Sequence, residues 1–349
     1  MKTFKEKIYD YLLKNPNSSA EKISKNEKLG NRTYVSKLLA ELIEEEKVAK
    51  HRKGRNILYA VSDNKTALEE NLNLKGLSEN DIWEKVRKTT DFLSSLSENA
   101  ENILYFGFTE MLNNAIDHSR SGVGYVKIWL EDKKLKFIVK DNGIGVFKNV
   151  MVKQNLSSEP DAARELIKGK LTTQPLFHSG EGIFWTSKVS DKFSLTSYSY
   201  KLILDNSLED YSIEKIESPL IGTEVYFEIS KDTTKSLQKL FRDFSFDHEK
   251  LTLDTTVIPV KLFEEGDIWI SRSQAKKVLV GLNRYRKIIF DFSGINVIGQ
   301  AFADEIFRVF NIAHPEIELE AINMSESVAL MVAHARNDST GRPSQNMLK

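Results

Sequence analysis

The sequence predicts a multidomain chain of mixed α/β and α+β type. Three observations carry that expectation. The 349 residues divide into two or three units at about 150 residues per domain. Charge is segregated: residues 1–62 hold fourteen Lys/Arg against eight Asp/Glu, so a head of +6 precedes a body of −6 in a chain that is neutral overall. The apolar period also changes along the chain, from helical spacing to a helix-then-strand block and finally to strand–helix alternation over 257–336.

Composition bounds the function classes. Apolar residues at 40% and charged residues at 29% suit folded domains rather than a disordered chain. There is no cysteine, which excludes disulfides, thiolate metal sites, iron–sulfur chemistry and a thiol nucleophile. No apolar run approaches about 18 residues, so no spanning helix and no membrane partner are expected. The charged stretch Met1–Asn17 lacks the apolar centre of a signal peptide, so the expected location is cytoplasmic.

In the head, Phe4, Ile8, Tyr11 and Leu12 recur at helical spacing, and Asn15-Pro16-Asn17 ends that helix. Ser19 suits the cap of a second helix containing Ile23. After Gly30, Val35, Leu38, Leu39, Leu42 and Ile43 mark the apolar face of a third. Strands at 47–50 and 56–61 flank a basic turn, His51-Arg52-Lys53-Gly54-Arg55. This order over 1–62 resembles a winged helix-turn-helix, which implies binding to double-stranded DNA. Arg32, Thr33, Tyr34, Ser36 and Lys37 would face a groove, and His51, Arg52, Lys53 and Arg55 would reach phosphates.

Residues 63–80 read as a polar linker. A helix capped by Ser78 and carrying Ile82, Trp83, Val86 and Phe92 opens a domain over 81–235. A helix over 101–118 follows, then strands near 124–131, 134–140, 193–199, 201–205, 211–217 and 222–229. The intervening 146–179 reads as a long loop with one short helix, Pro160–Lys168, ended by Gly169. Residues 250–340 alternate strand (257–263, 287–292, 317–322) with helix (271–282, 300–311, 325–336).

Four short pieces of the central domain carry the chemistry. Glu110 and Asn114 are four apart and share a helix face. There the carboxylate can take a proton from water and the amide oxygen can bind a hard cation such as Mg²⁺. Asp141-Asn142-Gly143-Ile144-Gly145 follows a strand, placing an acceptor-only carboxylate where it can read an exocyclic amine. Ser179-Gly180-Glu181-Gly182-Ile183 opens a helix whose free N–H groups favour phosphate oxygens. Gly222-Thr223-Glu224-Val225 begins a strand and offers a hydroxyl to support the aspartate. Each piece is weak alone.

In this order, the four pieces resemble the nucleotide-binding boxes of the GHKL (Bergerat-fold) ATPases, a superfamily that includes sensor histidine kinases and anti-sigma-factor kinases. The resemblance covers about 85–230. It implies a Bergerat-fold α/β sandwich with ATP and Mg as cofactors. By the same resemblance Glu110 is the general base, Asn114 the magnesium ligand and Asp141 the adenine reader, supported by Thr223. Gly143 and Gly145 shape the adenine pocket, and Gly180 and Gly182 line the phosphates. Asp117 and His118 lie towards the phosphate side. The stretch 146–179 corresponds to the ATP lid, from which Lys168, Lys170 or His178 can reach the γ-phosphate; the residues do not choose among them. None of the six histidines has the family's phosphoacceptor context, so histidine kinase activity is not expected.

Asp291-Phe292-Ser293-Gly294-Ile295 with Ile298–Phe307 resembles the strand–loop–helix of STAS-like domains. In phosphorylated members of that family the helix start carries a serine; here it is Gln300-Ala301. Ser293 reads as a loop cap, Asp304 and Glu305 as surface or helix-dipole charges. The module implies a protein-binding or dimer-regulating surface, one that can dock on the lid of its own chain or serve a homodimer. The functional expectation is a slowly hydrolysing ATPase in a transcription regulator that couples nucleotide state to DNA binding and to the STAS-like interaction module. The alternatives are a protein serine/threonine kinase of the anti-sigma type and a non-enzymatic adaptor.

Overall fold

A computed structural model describes residues 3–27, 31–45, 47–53, 56–61, 65–169, 181–245, 253–263 and 271–338. The head holds α1 (Phe4–Lys14), α2 (Ala20–Glu27), α3 (Arg32–Glu44) and a hairpin of β1 (Val48–Lys53) with β2 (Asn56–Val61). Thr3 and Glu6 form a capping box on α1, and Asn31 caps α3 through Tyr34 N–H. The apolar stripes meet in a separate core of Ile8, Leu12, Ile23, Val35, Leu39, Leu42 and Val48. His51, Arg52 and Lys53 belong to β1 rather than to the turn, because β1 pairs in register down to Lys53↔Asn56. Gly54 and Arg55 lie outside the described residues.

The linker expected over 63–80 is corrected. Residues Lys65–Asn73 form β3, which pairs antiparallel with the next strand, β4 (Val123–Glu131), as an edge strand. Only Leu68 and Leu72 of β3 are buried, so its period-2 signal is sparse. Next come α4 (Glu79–Arg87), short α5 (Thr90–Leu93) and long α6 (Glu98–His118), with Ser78 and Ser97 as the N-caps of α4 and α6.

Past β4 come β5 (Lys134–Asp141), α7 (Val146–Lys153), α8 (Glu159–Lys168), α9 (Gly182–Val189), β6 (Lys192–Asp205) and β7 (Asp210–Ser230). The sheet order is β3-β4-β5-β7-β6, antiparallel throughout. Four short strands were expected where two long ones occur. β6 bends at Ser197–Tyr198 through a register shift, and Tyr198 takes φ +48. Apolar α6 residues including Leu104, Phe108 and Leu112 are buried in the main core, with α6 packed against β5, α4 and α9. Phe137 stacks on Phe227 at 4.6 Å and meets Phe108 edge-on. Helix α7 falls in the expected loop; it starts at positive-φ Gly145 without a side-chain cap, so no start signal marks it.

The C-terminal module follows α10 (Leu237–Asp243). β8 (Thr255–Pro259), β9 (Lys287–Asp291) and β10 (Glu318–Ile322) form a parallel sheet in the order β10-β9-β8. The first crossover contains α11 (Arg272–Leu279). The second contains α12 (Gln300–Asp304), a π-helical segment Glu305–Phe310 and α13 (Asn311–Ala313). α14 (Glu326–Asp338) closes the module. β8 is shorter than expected because Val260–Phe263 coils into a 3₁₀ turn. Glu305, expected at the surface, is buried within 4.0 Å of Arg272 and Lys276, while Asp304 is bonded to Arg308 and Arg272. No helix among the described residues is long and apolar enough to cross a membrane.

Candidate functional site

Helix α6 carries Glu110, Asn114 and Asp117 at i, i+4 and i+7, so the three side chains form one polar line along the helix. Glu110 and Asn114 are half-buried and Asp117 is exposed. Gly107, on the packed side, lets α6 approach the sheet: a Cβ there would meet Thr186 at 3.1 Å and Phe137 at 3.6 Å. Gly182, at the start of α9, lies against Glu110; a Cβ would fall 2.3 Å from its Oε2. The expected general base and one expected phosphate-lining glycine are therefore neighbours. Gly180 lies outside the described residues, as do Lys170 and His178.

Asp141 ends β5 and stands opposite Thr223 of β7 in register. Its carboxylate is buried, and Oδ1 accepts the Gly143 N–H at 2.7 Å. Burial pushes its pKa up to about 6, opposed by hydrogen bonds from the Gly143 N–H and from the Thr223 backbone and hydroxyl. The Thr223 oxygen also accepts the Val146 N–H at 3.0 Å, tying the start of α7 to the same spot.

The glycines here are steric necessities. A Cβ on Gly143 would sit 2.0 Å from the Ser119 carbonyl oxygen, and Gly222 at φ +86 would place one 2.1 Å from the Asp141 carbonyl oxygen. Gly145, at φ +78, leaves no room beside Ser197 and Tyr198.

Two residues absent from the sequence expectations complete the loop. The Tyr198 hydroxyl donates to Gly143 O at 3.1 Å, and the Ser119 carbonyl accepts the Ile144 N–H at 2.9 Å. Neither has a local signal: Tyr198 arrives through the β6 bulge, and Ser119 through the exit of α6. The Ser119 contact joins the Asp141 loop to α6 nine residues after Glu110, about 13 Å along the axis. His118, in the last turn of α6, is half-buried with its Nδ1 fully enclosed.

One expectation is overturned. Lys168 does not face the site. Its ammonium is fully buried, donating to Glu165 at 2.6 Å and to Val280 O at 2.9 Å. A lysine held in that way has no path to a phosphate.

In the head, Arg32, Thr33, Tyr34 and Lys37 are exposed along α3, Ser36 is half-buried, and Arg52 is exposed on β1. The side chains of His51 and Lys53, and all of Arg55, lie outside the described residues. Ser293 is the loop cap expected of it: its N–H and hydroxyl both donate to Asp291 Oδ1.

Residues 274–329 match the family described as a STAS-like domain of unknown function (DUF4325). The C-terminal module is STAS-like. Over 173 residues the chain is 27% identical to the anti-sigma F factor of Shouchella clausii (strain KSM-K16), a span covering 48% of this chain and 95% of that relative. The STAS-like module is thus shown by its match, and the similarity to an anti-sigma factor covers just under half of the chain.

Proposed function

We propose that the chain is an ATP-binding regulator of the GHKL type. In this reading a Bergerat-fold core over 81–235, a winged-helix head over 1–62 and the STAS-like module over 250–340 act together. The observation that carries it is Asp141: a buried, acceptor-only carboxylate ringed by glycines that tolerate no side chain. Such a group suits the exocyclic amine of adenine, which approaches as a donor.

The remaining residues fit the rest of a magnesium nucleotide. The first N–H groups of α9 have no partners within the helix and suit phosphate oxygens. Among the described residues no cluster of three or more His, Asp or Glu makes a cation cage. Asn114 would then share the ion with phosphate oxygens and water, as magnesium sites commonly do. Bound Mg²⁺ would supply charge neutralisation at the phosphates. Glu110, held beside Gly182, would accept a proton from the attacking water and support slow hydrolysis. Asp117 and His118 would line the phosphate side.

DNA binding by the head is part of the proposal, supported by the exposed row Arg32, Thr33, Tyr34 and Lys37 with Arg52 nearby in sequence on the hairpin; Lys53 and Arg55 belong to the same proposed surface. Calorimetry with magnesium-ATP, a non-hydrolysable analogue and ADP tests the core of the reading. Wild type is expected to bind the first two, and Asp141→Asn to bind them about tenfold to a hundredfold more weakly; equal binding by both proteins refutes it.

A second reading, a protein serine/threonine kinase of the anti-sigma type, is favoured by the similarity to an anti-sigma factor. Transfer of labelled γ-phosphate to a protein partner would select it, whereas release of free phosphate alone would select the ATPase. The Gln300-Ala301 helix start argues that the chain's own STAS-like module is not the acceptor at that position.

A further inference from the structure

Helix α8 is finished by groups from far along the chain. The last carbonyls of a helix need partners outside it, and Gly169, at φ +85, turns the chain away at the C-cap. The Lys168 carbonyl accepts the Tyr285 hydroxyl at 2.6 Å and the Thr256 hydroxyl at 2.8 Å. The Gly169 carbonyl accepts Arg284 at 3.1 Å. Arg164 donates in return to the Leu262 carbonyl at 2.7 Å. These partners belong to the C-terminal module and its flanking turns.

The same end of α8 touches α9. A Cβ on Gly169 would meet Phe184 at 3.2 Å and Leu253 at 2.8 Å. Phe184 lies two residues beyond Gly182, which abuts Glu110. Lys188 of α9 also reaches the Val257 carbonyl of β8, at 3.5 Å. The C-terminal module therefore bears on α9 twice, once directly and once through α8.

We infer that the STAS-like module is a built-in control element of the nucleotide site: Tyr285, Thr256 and Arg284 are positioning residues that clasp the end of α8 and thereby hold α9, and Gly182 with it, against Glu110. The nucleotide part of this inference rests on the proposed function. The clasp is of a kind that can open. Its centre contains the buried Lys168–Glu165 pair and hydrogen-bonded carbonyls, all of which regain water when separated. Beneath it Leu166 and Phe184 share one apolar core with Leu253, Leu262 and Phe263, so its opening is a local event rather than a separation of the modules. Coupling is reciprocal, so nucleotide binding must tighten the clasp by the factor with which the clasp tightens nucleotide.

The test uses the full chain with Tyr285→Phe and Thr256→Val, singly and together, read by hydrogen exchange in α8 and α9 and by magnesium-ATP calorimetry. Melting curves confirm that each variant is folded. The double variant is expected to exchange faster in both helices without nucleotide and to bind ATP about fivefold or more weakly. Added nucleotide is expected to restore protection in α8. Asp141→Asn should weaken nucleotide binding without loosening α8. Faster exchange in α8 with α9 and ATP affinity unchanged overturns the inference, as does unchanged α8 exchange in the double variant. If the wild type binds no nucleotide, the functional proposal falls, and faster α9 exchange on opening the clasp then decides the coupling by itself.

Discussion

Asp141→Asn should weaken nucleotide binding while making the unliganded protein more stable at neutral pH. Asp141 is only 5% exposed, and burial raises its pKa from an ordinary 3.8 to about 6. The folded state therefore holds the proton more tightly than the unfolded chain does. For such an acid, stability is highest where the group is protonated in both states, below about pH 4. It declines as pH rises from about 4 to about 6, and the full penalty persists above that. At about 1.4 kcal/mol per pH unit, the gap amounts to about 3 kcal/mol.

An amide in the same place removes the ionisation, while its oxygen can still accept the Gly143 N–H. The expected gain at pH 7.5 is up to about 3 kcal/mol, reduced by whatever the amide NH₂ leaves unpaired. The same substitution replaces the charge-assisted acceptor proposed for the adenine amine, which should cost about tenfold to a hundredfold in affinity. Denaturant titration of wild type and variant at pH 7.5 and pH 4.5, with calorimetry at pH 7.5, measures both effects. A stability gain of equal size at the two pH values would falsify the assignment of the penalty to Asp141 ionisation. No gain at pH 7.5 would refute the raised ionisation of Asp141, because the value of about 6 already includes the opposing hydrogen bonds from Gly143 and Thr223.

Glu110→Ala is expected to leave ATP binding near wild type and to lower turnover by about a hundredfold or more, read by phosphate release; equal turnover refutes the general-base role. Gly182→Ala pushes a methyl into the space of Glu110 Oε2, 2.3 Å away, and so displaces the carboxylate. Turnover should fall by about a hundredfold, as for a misplacement of about 1 Å, with a smaller change in ATP affinity; unchanged turnover would place Glu110 outside the chemistry. For the head, Arg32→Ala with Lys37→Ala and Arg52→Ala should flatten the log–log salt dependence of DNA binding by about 0.9 per lost phosphate contact. An unaltered slope would remove these side chains from the interface.

Local pattern makes much of this molecule legible. The helices of the head, α4 and α6 announce themselves through caps such as Ser78 and through apolar stripes such as Val35–Leu38–Leu39–Leu42. The spacing of Glu110 and Asn114 is enough to place both on one helix face, and Asp141 at a strand end needs only the alternation of β5. Those features depend on neighbours a few residues apart, which is the range over which helical and strand periods act. β3 escapes because an edge strand with two buried leucines carries little period-2 signal, and α7 because it starts from a positive-φ glycine with no cap.

What the amino-acid order determined by itself was the content of the site: which acids, amides and glycines are available, and on which elements. Only the tertiary structure decided their use. It set Gly182 against Glu110, brought Tyr198 to Gly143 through a bulge, buried Asp141 deeply enough to shift its ionisation, and withdrew Lys168 into a pair with Glu165 beneath Tyr285 and Thr256. The physical reason is that burial and hydrogen-bond partnership are properties of contacts between distant segments. Lys168 and Tyr285 are separated by 117 positions, and no local period records that such residues will meet.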